Sequence, residues 1–237
     1  MKILVLLLVL LSLPTFGYAR SAVPDGINDA AMDTSLLIPP PPAYDSTLMA
    51  NDRAQYERGF TLRKTPRGEQ ATLDANLKKA HTRFSEAFGY QISQETTPEI
   101  YALLQYVLPY VDKKATATAK KKYMRVRPYV LYNTNTCYPE DEEHLRHTGS
   151  YPSGHSATSW GFALVLAEIN PARKDAILER GFEMGQSRVI CGYHWQSDVD
   201  AARISSAAAI ALLHADPGFQ AQMEKAKKEF DTLSNKK

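Results

Sequence analysis

The sequence predicts an all-α protein that folds as a single-domain helical bundle. Apolar residues recur at steps of three and four in several segments, the periodicity of a helix with one buried face. Two segments, residues 157–169 and 199–213, are apolar nearly all round, as expected for helices surrounded by others. No alternating Val, Ile and Thr run is long enough for a sheet, and neither a fixed repeat nor a Gly-rich nucleotide fingerprint occurs.

The first nineteen residues have the pattern of a signal peptide. The cation Lys2 precedes a largely apolar run at residues 3–13, and small residues follow at Gly17 and Ala19. The run is too short to remain as a membrane anchor. We therefore expect an exported protein that is cleaved after about Ala19.

Residues 20–45 are expected to form an extended, Pro-rich N-terminal arm. Ser, Asp and Asn are frequent there, and four consecutive prolines at residues 39–42 exclude a helix. A stiff strap on the domain surface is the favoured interpretation, and a ligand for a partner is the alternative.

Helical periodicity begins after Asp45, so residues 46–237 form the predicted domain. The last helix, at residues 219–233, has the alternating four and three steps of an amphipathic surface helix. Before it, besides the two apolar segments, helices are predicted around residues 56–62, 73–88, 99–110 and 112–126.

Charge and cysteine content restrict the class of protein. The 28 Lys and Arg residues nearly balance the 26 Asp and Glu residues, so no nucleic-acid or membrane binding is indicated, and no segment is a membrane span. Both cysteines, Cys137 and Cys191, follow the signal peptide. In an oxidising compartment they are candidates for a disulfide, with two reduced thiols as the alternative.

Three blocks of residues suggest a phosphate site. In the first, Lys120 and Arg127 are seven residues apart on a predicted helix, which places them about 20° apart around the axis and roughly 10 Å along it. Both can then reach one ligand, whereas Lys121, Lys122 and Arg125 are expected to point elsewhere as a solvated face. A solvated charge run is also the alternative for Lys120 and Arg127.

The second block, residues 151–155, immediately precedes the first apolar helix. Ser153 can cap that helix, Gly154 lets the backbone approach a ligand closely, and the free N–H groups of the first turn favour an anion. His155 would lie beside the anion. An ordinary helix start with a partly exposed imidazole is the alternative.

The third block contains Arg188, His194 and Asp198. A carboxylate four residues after a histidine can accept the proton of one ring nitrogen, which leaves the other nitrogen with its lone pair toward a ligand, as a nucleophile requires. A zinc-binding pair is the alternative. Three cations, two histidines and one carboxylate favour phosphoryl transfer, since a metal ion would be repelled by so many adjacent cations.

Taken together, the blocks resemble the signature of the type 2 phosphatidic acid phosphatase and vanadium haloperoxidase superfamily. The residues that match it are Lys120, Arg127-Pro128, Pro152-Ser153-Gly154-His155, Ser187-Arg188, His194 and Asp198. Residues 149–155 and 187–203, the proline run and the signal peptide further resemble bacterial class A non-specific acid phosphatases. The resemblance is weakest around residues 60–115.

This resemblance implies a helical fold of the acid phosphatase type, a periplasmic location, broad hydrolysis of small phosphate esters without metal or other cofactor, and frequent self-association into homo-oligomers. By the same resemblance His194 is the nucleophile, Asp198 orients it and His155 protonates the leaving group. The residues implied to bind the phosphate are Lys120, Arg127, Ser153, Gly154 and Arg188. A vanadium-dependent haloperoxidase and a non-catalytic periplasmic phosphate-binding protein are the rival functions.

Overall fold

The computed structural model describes residues 32–235. The predicted signal peptide, its cleavage site and residues 20–31 of the predicted arm lie outside the described residues. Between residues 32 and 235 the chain is helical and contains no strand, so the predicted fold class is confirmed. The longer helices are α1 (Thr47–Leu62), α2 (Pro66–Asp74), α3 (Pro98–Pro109), α4 (Ala117–Tyr123), α5 (Gly154–Ile169), α6 (Lys174–Ile190), α7 (Gln196–Leu213) and α8 (Pro217–Ser234).

Helix α5 forms the centre of the bundle. It packs against α6 and α7, and its apolar side chains, among them Phe162 and Leu166, are buried. Helices α3 and α8 pack on each other and extend the same core. The prediction of a surrounded helix is confirmed for α5 but wrong for α7, whose Ile204 and Leu212 are about half exposed.

The predicted helix over residues 73–88 is wrong. Helix α2 ends at Asp74, and the chain continues through short 3-10 turns to a single α-turn, Ser85–Phe88. Asp74 is buried in an ion pair with Arg180 of α6. The side chain of Asn76 then accepts a hydrogen bond from the Lys78 N–H at 3.1 Å, a local bond that competes with helix continuation.

No helix is predicted above for residues 174–190, where the structure has α6. Its many charged side chains dilute the apolar periodicity, but Ile177 and Met184 are buried against the core. The helix contacts both α5 and α2. Its last turn carries Arg188, so it positions part of the site.

The described part of the arm lies against the domain. Ile38 is buried beside Ala119 and Ala201, and the Tyr151 hydroxyl donates to the carbonyl oxygen of Pro39 at 2.6 Å. In the part of the chain that the structure describes, no helix is both long and apolar enough to cross a membrane.

Candidate active site

The three sequence blocks meet at one cavity of about 670 Å³. Lys120 and Arg127 of the first block, Gly154 and His155 of the second and His194 of the third all line it. Residues that are remote along the chain are therefore brought together by the packing of α4, α5, α6 and α7.

Lys120 and Arg127 do not lie on one helix, contrary to the prediction. Helix α4 ends at Tyr123, Met124 adopts a left-handed conformation with φ of 41°, and Arg127 has extended backbone. The two side chains nevertheless converge on the Gly149 carbonyl oxygen, to which Lys120 Nζ donates at 3.1 Å and Arg127 Nη2 at 3.3 Å.

The chain after α4 follows the period of two of an extended segment. Val126 is 52% exposed, whereas Arg125 and Arg127 both point inward. Arg127 Nη1 lies 3.1 Å from His194 Nε2, and Arg125 Nη1 donates to Asp198 Oδ1 at 2.6 Å. The prediction that Arg125 belongs to a solvated face is therefore wrong, because it assumed a helix where the backbone is extended.

Arg188 is a buried cation with no acceptor for its guanidinium group among the described residues. It is 1% exposed, and none of its three side-chain nitrogens makes a hydrogen bond. Its guanidinium carbon lies 4.1 Å from the centre of the Tyr193 ring. Burial lowers the pKa of Arg188 to about 10, so the group remains charged at neutral pH. An unpaired buried charge is unfavourable, and a bound anion would supply the missing acceptors.

The block before α5 forms the helix N-terminus on which an anion was predicted to bind. Ser153 Oγ caps the helix by accepting from the Ser156 N–H at 3.2 Å. At Gly154 an added Cβ would lie 2.4 Å from Asp112 Oδ1, so a side chain there would displace that carboxylate. His155 Nε2 is buried and has no partner among residues 32–235.

Hydrogen bonds determine the tautomer of His194. Arginine can only donate, so His194 Nε2 must accept from Arg127 Nη1 and carry its lone pair on that side. The proton therefore lies on Nδ1, which faces Asp198 Oδ2 at 3.3 Å. Asp198 Oδ2 also accepts a hydrogen bond from the Trp195 N–H at 2.9 Å, and this second contact fixes its position.

A tight turn between α6 and α7 places Arg188 next to His194. Gly192 has φ of 81°, which favours glycine, and an added Cβ would lie 2.2 Å from Arg63 Nη2. The backbone N–H groups of Tyr193 and His194 then donate back to the Arg188 carbonyl oxygen at 3.1 and 3.3 Å.

Burial and the neighbouring cations lower the pKa of the basic groups in the cavity. Burial, followed by the charge of Arg127, lowers the pKa of Lys120 to about 7. Burial and then Arg188 hold the pKa of His155 well below its usual value, and burial and then Arg127 do the same for His194. Both imidazoles are thus neutral near neutral pH.

Three charged residues near the site were missed by the sequence reasoning. Asp112 lines the cavity, and burial raises the pKa of its carboxyl group. Arg125 joins Asp52 of α1 to Asp198, with Asp52 Oδ2 at 2.7 Å from Arg125 Nη2. Apolar and charged residues alternate at positions 124–127, and this pattern of an extended segment could have indicated Arg125. No local signal marks Asp52 or Asp112.

Cys137 and Cys191 form a disulfide, with Cα atoms 4.7 Å apart. The bridged alternative of the sequence analysis is thus the one found in the structure. The bond links the chain just before Tyr138, which lines the cavity, to the end of α6. It therefore ties one wall of the cavity to the segment that carries Arg188 and His194.

The zinc alternative for His194 and Asp198 does not fit their arrangement. His194 precedes α7, and its Nδ1 is already directed at the Asp198 carboxylate. Among residues 32–235 no three His, Cys, Asp or Glu side chains come together in a way that could hold a metal ion.

The part of the chain that contains the three blocks also matches a known protein family. Residues 100–220 match the model of the PAP2 superfamily, and the chain therefore belongs to this superfamily. Within it, the chain is 54% identical to the non-specific acid phosphatase of Providencia stuartii, over 87% of this chain and 84% of the relative.

Two further relatives have the same name. The chain is 43% identical to the non-specific acid phosphatase of Salmonella typhi, over 87% of this chain and 84% of the relative. It is 42% identical to that of Salmonella typhimurium strain LT2, over 92% and 88%. The resemblance to bacterial class A non-specific acid phosphatases is thus confirmed.

Proposed function

We propose that this chain is a non-specific acid phosphatase that hydrolyses phosphomonoesters through a phosphohistidine at His194. The observation that carries the proposal is a buried, unpaired Arg188 beside His194, whose Nε2 lone pair is directed at Arg127, another residue that lines the cavity. The names of the relatives support the same activity.

The phosphate group of the ester binds where the positive charge has no partner. Arg188 supplies its unpaired N–H groups, and Lys120 and Arg127 turn from the Gly149 carbonyl to the phosphate oxygens. Ser153 and the Gly154 N–H add donors at the start of α5. When Arg127 turns to the phosphate, it also releases the lone pair of His194 Nε2.

Chemistry begins with attack by His194 Nε2 on phosphorus while the ester P–O bond breaks. The positive charge that develops on the imidazole is stabilised by Asp198 through the Nδ1 proton. The leaving oxygen takes a proton from His155. Water then attacks the phosphohistidine, giving its proton to His155 and returning His194 to the neutral state.

His155 must be protonated for this step, although its pKa is low in the empty cavity. A bound phosphate offsets the charges of Arg188, Arg127 and Lys120, which raises the pKa of His155. Lys120 loses its proton above about pH 7 in the empty site, which weakens phosphate binding. We therefore expect an activity optimum on the acid side, and a rate that rises steadily above pH 8 would contradict the scheme.

The decisive experiment compares the wild-type enzyme with His194→Ala, using nitrophenyl phosphate in excess chelator. We expect turnover to fall on the order of 10⁵-fold in the variant, as when the nucleophile of a hydrolase is removed. A ³²P-labelled ester, quenched in alkaline denaturant because phosphohistidine is acid-labile, should label a peptide containing residue 194.

The matched control is His214→Ala, since His214 is an exposed histidine at the end of α7 that pairs with Glu168. It should retain wild-type turnover. Full activity of His194→Ala would refute the assignment. Phosphate binding without label would favour a binding protein, and bromide oxidation with vanadate and peroxide in place of hydrolysis would favour a haloperoxidase.

We also propose a periplasmic location and self-association, because relatives named as bacterial acid phosphatases share most of this chain. The mature protein then begins at Arg20. If amino-terminal sequencing of the periplasmic protein gives a start far from residue 20, the proposed export and cleavage are contradicted. A monomeric mass by light scattering would contradict self-association.

A further inference from the structure

Behind the nucleophile lies a network of charges that the proposed chemistry does not use directly. Arg125 donates to Asp198 Oδ1 at 2.6 Å and to Asp52 Oδ2 at 2.7 Å. Ser197 joins Arg125 and Asp52 a second time, because its hydroxyl accepts from Arg125 at 2.7 Å and donates to Asp52 at 2.6 Å. The network is buried, with Asp52 and Asp198 at most 1% exposed.

Every hydrogen bond of the two carboxylates is one that they accept. Asp52 accepts from Arg125, from the Ser197 hydroxyl and from the Ser197 N–H at 2.8 Å. Asp198 accepts from Arg125, His194 and the Trp195 N–H. Ionised carboxylates are acceptors only, so the network contains two negative charges and one positive charge.

This charge count matters for Asp198. A single guanidinium group facing Asp198 alone would cancel the negative charge that the imidazolium of His194 requires. Because Arg125 is shared with Asp52, the network keeps a net charge of −1 on the side of His194 away from the cavity.

We propose that Asp52 and Arg125 are positioning residues that hold Asp198 in place and keep the net charge behind His194 at −1. This inference rests on the proposed function, in which His194 becomes positively charged. The network acts through Asp198, since neither Asp52 nor Arg125 lines the cavity.

The other groups that face His194 or the network stay constant in the test. On the cavity side, Lys120, Arg127, His155 and Arg188 interact with His194. The other titratable residues that line the cavity are Lys78, Asp112, Lys113, Tyr138, Glu140, Asp141 and His144. Around Arg125 the neighbours are the rings of Trp195 and Tyr151, whose centres lie 5.5 and 6.0 Å from the guanidinium carbon, and Met49, whose Sδ lies 3.4 Å from Nη2.

The test is a charge series that varies only the network. Asp52→Asn changes its net charge to 0, Arg125→Gln changes it to −2, and the double variant restores −1. The measured quantity is the acid limb of kcat/KM, where protonation of His194 removes the nucleophile. Ionisation of the substrate is common to all variants, so differences between them report on the enzyme.

The pH at which the acid limb of kcat/KM lies should be lowest for Asp52→Asn and highest for Arg125→Gln. The wild type and the double variant should lie together between them. Asp52→Asn should also form the phosphoenzyme about tenfold more slowly, by rapid quench, with its inhibition constant for inorganic phosphate changed less than twofold. A structural role alone predicts lower rates without this order, and a double variant worse than either single one.

The matched control is Asp200→Asn, which removes a 56% exposed, Arg203-paired carboxylate from the same helix and should leave the acid limb in place. If one variant fails to fold by circular dichroism, the remaining ones must still keep the order, and any inversion overturns the inference. Absence of phosphohistidine in the wild type would instead refute the proposed function, so the two failures are distinguishable.

Discussion

Arg188 and Arg125 are both buried guanidinium groups at the same site, but their surroundings differ. Arg188, on the cavity side of His194, has no acceptor among the described residues. Arg125, behind it, is bonded to two carboxylates and a hydroxyl. A buried cation without acceptors indicates a ligand still to be bound, whereas one that is paired with two buried carboxylates indicates a fixed part of the structure.

The two arginines should therefore respond in opposite directions to the same substitution. Arg188→Met should lower kcat/KM by on the order of 10³-fold, since a preorganised donor to the reacting group is lost. It should also raise the unfolding free energy of the phosphate-free protein by about 1–3 kcal/mol, because an unpaired buried charge is removed. Activity assays and urea denaturation measure the two effects.

The control for that variant is Arg203→Met. Arg203 also stacks on an aromatic ring, Phe182, at 3.9 Å, but lies outside the cavity, so it should keep its activity. An Arg188→Met protein that is less stable than wild type would contradict this expectation, because Arg188 would then have acceptors of its own.

At the rear, Arg125→Met should have the opposite effect on stability. It leaves Asp52 and Asp198 buried without their shared counterion, and breaking such a pair from one side destabilises by about 3–5 kcal/mol. Urea denaturation at neutral pH measures this loss. A change below about 1 kcal/mol would mean that the ion pairs contribute little and that the two arginines are equivalent.

The last expected effect concerns pH. The pKa of His155 and of His194 is lower in the folded, empty protein than in the unfolded chain. Between those values and about pH 6.5 the unfolded chain binds more protons, so stability falls as pH is lowered, by up to about 1.4 kcal/mol per pH unit for each histidine.

Phosphate should reduce that slope, because its negative charge offsets the cations that, together with burial, lower the pKa of both imidazoles. Thermal unfolding between pH 6.5 and 5, with and without phosphate, measures the change, and His155→Gln should remove part of the slope. Equal slopes with and without phosphate would contradict the idea that the ligand compensates the charges of Lys120, Arg127 and Arg188.

The difference between the two arginines also explains what could be read from the sequence. Lys120, Arg127, His155, Arg188 and His194 were found because each belongs to a motif of fixed spacing. The local geometry was not found. Residues 121–127 contain neither Gly nor Pro, so no helix-breaking residue indicates that α4 ends at Tyr123, and the helical assumption placed Arg125 on the outside.

Asp52 was missed for a different physical reason. It lies 73 residues before Arg125, in helix α1. That helix contains other charged residues, so nothing in its pattern distinguishes Asp52 from them. Long-range pairing of this kind depends on how α1 packs against the turn before α7, which no local periodicity encodes. By contrast, the apolar surround of α5 is a property of its own sequence and was predicted correctly.

The proposed arrangement of the site is best tested by a crystal structure with inorganic phosphate bound. We expect phosphate oxygens within about 3 Å of nitrogens of Arg188, Arg127 and Lys120, with His194 Nε2 facing phosphorus and Arg125 still joined to Asp52 and Asp198. A phosphate bound elsewhere, or His194 presenting Nδ1 to it, would refute the proposed mechanism.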